Sequence, residues 1–272
     1  MSFFTALSGL NAAQADISVT SNNIANVGTI GFHGSRAEFG DIYSRSLYSN
    51  PKTTIGSGTR MTQVSTSFAQ GTVASSANML DMAVDGPGFF RLQSQADGGT
   101  SMFTRAGAFQ MDKDGYIVNP QGMYLSGFAV NPDGTAIPGG TPTAMQVPAT
   151  LGGEPLSGAI EVDDAGILWA SYGANDAVAL GRVAMGNFTS LQGLRHMGDA
   201  SYSVTGDSGA PMLGGGGDPG FGLVRAGALE QANVDLTNEL VHLITTQRNY
   251  QASAKALETN SQISQTIMNM RS

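Results

Sequence analysis

The 272 residues suffice for one large domain or two small ones, and they carry a formal net charge of −8 with only 12% charged residues. No run of five or more Lys or Arg occurs, so the electrostatic footprint of a nucleic-acid binder is missing. Cysteine is absent, which excludes disulfides, thiolate metal sites and a cysteine nucleophile together.

Residues 2–26 read as a helix, about 35 Å long at 1.5 Å per residue. Ser2 stands where it could cap the helix, and an Asn-rich stretch up to Asn26 ends it. Phe3, Leu7, Leu10, Gln14, Ile17, Ser21 and Ile24 recur in alternating steps of four and three, the seam of a helix packed along another. Gln14 and Ser21 weaken that seam, and an isolated helix of this kind is marginal in water. The first Lys or Arg is Arg36, and polar residues interrupt the apolar ones before it, so no Sec-type signal peptide is expected. No stretch of 18 apolar residues suggests a membrane span.

Residues 27–78 read as an irregular connecting arm, punctuated by Gly28, Gly31, Gly34, Gly56, Gly58 and Gly71. Residues 79–227 read as β-rich. Short alternating segments such as Leu80–Val84, Gly88–Leu92, Tyr124–Val130, Ile167–Ser171 and Val178–Asn187 are separated by turn signals at Asp85-Gly86, Asp114-Gly115, Asp133-Gly134 and Ala165-Gly166. The Gly-rich stretch 206–222 is expected to be a flexible loop.

Residues 228–272 read as one long helix, about 60 Å if unbroken, with Arg271 at its end to complement the helix dipole. Leu236, Leu240, Leu243, Gln247, Tyr250, Ala254, Leu257, Ser261, Ser264 and Met268 repeat the three-four step. The fold class expected is therefore α+β. Residues 1–26 with 228–272 form a coiled-coil-like stalk of terminal helices, and an all-β middle is joined to it through the arm.

No string in the chain builds a reaction centre. Gly206-Asp207-Ser208-Gly209-Ala210-Pro211 looks like a serine-protease nucleophile loop, but His33, His196 and His242 fit neither the order nor the spacing of a triad. Asp112-Lys113-Asp114-Gly115 begins like a calcium loop but has Met123 where the bidentate Glu belongs. Asp163-Asp164 lacks partner carboxylates, and the glycines at 214–217 do not open a helix after a strand, as a phosphate cradle would. The expectation is a chain with no catalytic, cofactor or metal residues, and not an enzyme.

Several stretches resemble one family, the bacterial flagellar rod and hook proteins. They are Met1-Ser2-Phe3 through Ala13, Ser21-Asn22-Asn23-Ile24-Ala25-Asn26, Thr29-Ile30-Gly31-Phe32, Leu80 through Phe90, Phe103 through Phe109, Gly227 through Leu236, and Gln247-Arg248-Asn249-Tyr250-Gln251. Within the family, the opening and Tyr124-Leu125-Ser126-Gly127-Phe128 are most similar to hook proteins, with distal rod proteins next. His33 departs from the Lys or Arg often found after Gly-Phe, and too few residues follow position 145 for the large outer domain of many hook proteins.

The resemblance implies a helical homopolymer forming a hollow tube, with terminal helices inside and the β domain outside. Its implied partners are further copies of the chain, other axial proteins at the rod and filament junctions, the flagellar export apparatus and the hook cap. Its implied location is the flagellum, in the extracellular hook or the rod. The residues expected to pack the inner tube are Phe3, Leu7, Leu10, Gln14, Ile17, Ile24, Leu236, Leu240, Leu243, Gln247, Tyr250 and Leu257.

Overall fold

The computed structural model describes residues 3–43, 56–137, 140–173 and 177–270; Ser2 and Arg271, read above as a cap and a dipole partner, lie outside them. The chain divides into a helical unit (Met1–Val27, Gly34–Ser67 and Val234–Ser272) and a β unit (Gly28–His33 and Phe68–Asn233). The structure is α+β, with a helix at each end and a β-rich middle.

In the helical unit, α1 (Phe3–Ala25) is followed by β1 (Ser35–Asp41) and β2 (Thr59–Thr66), and α2 (Leu236–Asn269) closes the chain. The two strands pair antiparallel, with a register shift between Glu38 and Phe39. They lie inside the stretch 27–78 that reads as an irregular arm. An isolated two-stranded hairpin is marginal, and here α1 holds it. Asn23, buried in the last turns of α1, accepts from the Ser35 N–H at 2.9 Å and donates to the Ser35 carbonyl at 2.7 Å. Near the other end of α1, the Ser8 hydroxyl accepts from the Thr59 N–H at 3.2 Å. A side chain at Gly58, whose φ is +112°, would sit 2.2 Å from that hydroxyl.

The second helix starts later than expected. Residues 228–230 are a strand, and α2 begins at Leu236 because Asp235 caps it: its carboxylate accepts from the N–H groups of Thr237 at 2.8 Å and Asn238 at 3.1 Å. The helix is 34 residues long, about 51 Å.

The β unit holds the remaining strands. They are β3 (Val73–Ser75), β4 (Met82–Asp85), β5 (Phe89–Gln95), β6 (Gly98–Thr104), β7 (Gln110–Met111), β8 (Ile117–Val118), β9 (Tyr124–Phe128), β10 (Thr143–Ala144), β11 (Thr150–Leu151), β12 (Glu154–Val162), β13 (Ile167–Tyr172), β14 (Val178–Val183), β15 (Met185–Asn187), β16 (Arg195–Gly198), β17 (Ser201–Ser203), β18 (Met212–Gly214), β19 (Leu223–Ala226) and β20 (Ala228–Glu230). The main antiparallel sheet runs β11-β12-β13-β14-β9-β5-β6-β17-β16, with β7, β8, β10, β15 and β18 attached to its side; β4 with β19 and β3 with β20 form two small sheets.

Alternation along β5 explains why the core has two parts. Phe90 and Leu92 point into a cluster with Met82, Val84, Ile117, Leu125 and Val183. Phe89 points the other way, into an aromatic cluster with Phe103, Phe188 and Tyr202. The segment Val178–Asn187, read as one strand, divides at Ala184 into β14 beside β9 and β15 beside β5: the Ala184 N–H bonds the Ser126 carbonyl of β9 at 2.9 Å, and its carbonyl accepts from the Arg91 N–H of β5 at 3.0 Å.

Two turn readings need correction. Asp85-Gly86 does not join a hairpin: β4 pairs with β19, and the Gly86 N–H donates to the Gln70 side chain at 3.1 Å. The glycine run is not a loose loop. Gly215 and Gly216 are buried, Arg182 donates to the carbonyls of Ala165 at 3.1 Å and Gly216 at 2.6 Å, and Arg182 also reaches the Asp218 carboxylate at 2.9 Å. A Cβ on Gly215 would fall 2.2 Å from the Arg182 Nε, so glycine is there to let the guanidinium lie on the backbone.

Two stability outcomes follow. Asp235→Ala removes the cap of α2 and should cost about 1 kcal/mol, read as a lower thermal midpoint and reduced helical circular dichroism. Gly107→Ala should cost roughly 1–3 kcal/mol in the β unit, because the new methyl would lie 1.6 Å from the Met82 carbonyl oxygen; an unchanged midpoint would contradict this close approach.

Candidate assembly surface

A helix must bury one face, and α1 buries an unexpected one. Its fully buried residues are Ala6, Ala13, Thr20 and Asn23, and with Gly9 and Asp16 they step by three and four along one stripe. The stripe faces α2, and the two helices run antiparallel. The pairs proceed in opposite directions along the two helices. A Cβ on Gly9 would lie 3.3 Å from the Ser253 hydroxyl. The Thr246 hydroxyl donates to Asp16 at 2.8 Å, Thr20 meets His242 Nδ1 at 3.1 Å, and Asn23 donates to Glu239 at 3.3 Å. Thr246 is the fully buried residue of α2. Small side chains let the backbones approach, and hydrogen bonds fix the register.

The twelve residues expected to pack the inner tube lie beside this stripe rather than in it. Leu7, Leu10, Ile17, Ile24, Leu243, Tyr250 and Leu257 are half-buried beside the stripe. Phe3, Gln14, Leu236, Leu240 and Gln247 are exposed, and none of the twelve is fully buried. Sequence reading followed the apolar three-four repeat and missed the parallel repeat of Ala, Gly, Thr and Asn one position away. The missed signal was the small-residue spacing Ala6, Gly9, Ala13.

The apolar surface not used between the helices is large. On α2 it comprises Leu236, Leu240, Val241 and Ile244 near the start and Ile263, Ile267, Met268 and Met270 near the end; Val241 and Ile267 are each 61% exposed. Phe3 and Phe4 expose their rings at the start of α1, and Phe39, Met61 and Val64 do so on β1 and β2. Soluble monomers rarely leave contiguous patches of this kind without a partner. Neither helix is long and apolar enough to cross a membrane.

The strings weighed as chemistry are turns. The Ser208 hydroxyl is fully buried, donates to the Thr205 carbonyl at 2.9 Å and accepts from the Thr205 N–H at 3.1 Å, so it braces a loop. Asp112–Gly115 closes the hairpin between β7 and β8, with the Gly115 N–H on the Asp112 carbonyl at 2.9 Å. Asp163-Asp164 opens the turn between β12 and β13, with the Gly166 N–H on the Asp163 carbonyl at 2.7 Å. Among the described residues, no group of three or more His, Asp or Glu is arranged to hold a metal ion.

Reading by motif also missed a buried cluster in the β unit. Glu230, 1% exposed, accepts from Arg105 at 3.1 Å and from the Gly71 N–H at 2.9 Å, and His33 lies 3.9 Å from it. Arg105 also donates to the carbonyls of Val84 at 3.3 Å and Gly86 at 2.7 Å, and its guanidinium lies 5.1 Å from the centre of the Phe89 ring. His33 Nδ1 meets the Tyr202 hydroxyl at 3.1 Å.

Three family models match the chain: a flagella basal body rod protein model over residues 3–33, a flagellar hook protein FlgE/F/G D1 domain model over 83–170, and a flagellar basal body rod FlgEFG protein C-terminal model over 225–270. The flagellar basal-body rod protein FlgG of Agrobacterium fabrum is 32% identical over 271 residues, covering 93% of each chain. FlgG of Bacillus subtilis is 32% identical over 282 residues, covering 99% of this chain and 98% of that one. The flagellar hook protein FlgE of Escherichia coli is 25% identical, with both chains covered completely, over an alignment 411 positions long. Helices at both ends, a β-rich middle, and identity to rod proteins along nearly the whole length agree: this chain belongs to the flagellar rod and hook protein family, the structural subunits of the flagellar axis.

Proposed function

We propose that this chain is the structural subunit of a flagellar hook, polymerising helically into a hollow tube that passes torque from rod to filament. The observation that carries the polymer reading is the apolar face of α2 at Leu240, Val241 and Ile244, which α1 leaves open. In a tube that face packs against α1 and α2 of neighbouring copies, placing the terminal helices inside and the β unit outside. Leu243, Tyr250 and Leu257, at the margin of the seam, and the exposed Leu236 and Gln247 border the same face. The remaining partners in this reading are the axial proteins at the rod and filament junctions and the hook cap. The chain would reach them unfolded through the flagellar export apparatus.

The hook assignment rests on the opening residues and on Tyr124–Phe128, most similar to hook proteins. The seam between α1 and α2 adds to it. Hydrogen bonds across small residues re-form after a small slip more readily than interlocked apolar side chains do, and a bending, rotating tube needs contacts that shift. The distal rod is the second reading, favoured by a specific observation. FlgG relatives align along nearly their full length with this chain, whereas FlgE requires 411 alignment positions against 272 residues. Electron microscopy of basal bodies from a deletion strain separates the two. A complete rod without a hook supports the first reading, and a truncated rod overturns it in favour of the second.

The assembly face has its own test. Ile244 is exposed in the isolated subunit, so Ile244→Asp should leave the thermal midpoint of the monomer within about 0.5 kcal/mol of wild type. In a packed tube the same carboxylate would be buried without a partner, costing several kcal/mol per subunit. The expected result is folded, exported protein that forms no polymer by negative-stain microscopy. Normal tubes from Ile244→Asp would remove α2 from the packing surface.

A further inference from the structure

The β unit is joined to the rest of the chain by three segments. Residues 28–33 enter it and leave again, residues 68–72 re-enter it, and residues 228–233 leave it for the last time. Within the unit the three are tied to each other by backbone bonds. The Gly31 N–H donates to the Glu230 carbonyl at 2.8 Å, the Gln231 N–H to Thr72 at 2.8 Å, and the Asn233 N–H to Phe32 at 3.3 Å. The Asn233 side chain donates to the Ala69 carbonyl at 2.8 Å.

The side chains converge on the same place. Glu230 supplies one carboxylate to segment 228–233, takes the Gly71 N–H from segment 68–72, and lies beside His33 of segment 28–33. Arg105, from the turn after β6, neutralises it. We propose that His33, Glu230, Arg105 and Tyr202 form an acid-sensitive latch that holds these three segments together at neutral pH and releases them when His33 takes up a proton.

The geometry gives the mechanism. Because Nε2 faces the Glu230 carboxylate at 3.9 Å, we assign the proton of the neutral ring to Nε2, which leaves Nδ1 to accept from the Tyr202 hydroxyl at 3.1 Å. Protonation puts a hydrogen on Nδ1 as well, so Tyr202, itself 1% exposed, must turn its own hydrogen away from the ring that was its acceptor. The second cation is also badly placed. The ionised or ionisable groups around His33 are Arg105, Glu230, His196 and Tyr202, and the single carboxylate among them is already engaged by Arg105 and by the Gly71 N–H. Phe68 and Phe89 close the remaining sides, with ring centres 5.4 Å and 6.3 Å from the imidazole. At 2% exposure, His33 has little contact with water to solvate the added charge.

Burial first, then Arg105, then His196, bring the His33 pKa down from the ordinary 6.5 to about 4. The sign follows: the unfolded or opened segment binds the proton more tightly, so stability is complete above pH 6.5 and falls between 6.5 and 4. Over that window the opening equilibrium rises about tenfold per pH unit.

Hydrogen exchange on the full-length monomer tests this, with rates corrected for the intrinsic pH dependence of exchange. Peptides covering 28–33, 68–72 and 228–233 should lose protection about tenfold between pH 6 and pH 5, while the peptide covering β5 keeps its protection. In His33→Gln the extra slope should vanish. In His196→Gln, which removes the half-exposed neighbouring ring, it should stay. Three results would overturn the latch: crossing peptides that stay protected to pH 4.5, a slope that follows His196 instead of His33, or parallel loss of protection in β5. Should His33→Gln fail to fold, ring-nitrogen NMR of wild-type His33 decides, since an imidazole titrating at its ordinary value while the segments stay closed also refutes it.

Discussion

Glu230 is a carboxylate with almost no access to water, and a buried charge is tolerated only when it is paired and hydrogen-bonded. Much of the local architecture reads as the means of meeting that requirement. Arg105 must reach it from the turn after β6, so Gly107 lets the chain pass against the Met82 carbonyl two residues later. The Gly71 N–H must point at it, and a Cβ on Gly71 would fall 2.0 Å from the Gln231 carbonyl oxygen, which fixes glycine there. The strand β20 carries Glu230 and pairs with β3, so the carboxylate is anchored where the chain last leaves the β unit. Removing Glu230 would strand a guanidinium among Phe89, Tyr202 and Phe68, which is why a buried pair is more costly to break than to have omitted.

The helical unit obeys a different constraint. Its seam is small and polar, with Ala6, Gly9, Ala13 and Thr20 against Ser253, Thr246 and His242. That seam supplies close approach and register but little apolar burial. Leu7, Leu10, Ile17, Leu243 and Tyr250 are half-buried beside it, while Leu240, Val241 and Ile244 stay exposed, so the helical unit keeps apolar surface on its outside.

Sequence alone carried the fold class, both helices and many of the β strands. The segments Gly88–Leu92 and Ile167–Ser171 and the Asp-Gly turn at 114–115 are short-range signals that tertiary context reinforced, as β5, β13 and the β7–β8 hairpin. It failed where pairing partners lie far apart. Residues 228–230 look helical until β3, about 155 residues earlier, is available to pair with them. The true start of α2 was nevertheless written in Asp235, a capping residue directly before the periodic stretch. The arm hid β1 and β2 because Arg60–Val64 of β2 is exposed on both faces and β1 has no fully buried residue, so neither strand carries the apolar–polar alternation of a half-buried one. The contact between α1 and α2 within the subunit lies one position away from the apolar repeat, because Ala, Gly, Thr and Asn allow close approach and hydrogen bonds there. The cluster at Glu230 was illegible because its members are spread across residues 33, 71, 105, 202 and 230, with no spacing in common.

The pairing of α1 with α2 has a kinetic consequence. Asp16 meets Thr246 across 230 positions of chain, and Asn23 meets Glu239 across 216. Closing a loop of that size costs entropy that no single hydrogen bond repays, although the cost grows only with the logarithm of loop length. Once the intervening strands have folded, the free loop shrinks to the few residues between the β unit and each helix, and closure becomes nearly local. Contact order therefore sets a sequence of events: the sheet forms first, and the two ends of the chain meet last. During synthesis, which runs N-terminus first, α1 stays without its mate until the last residues are made, so topology alone keeps the two helices from closing early.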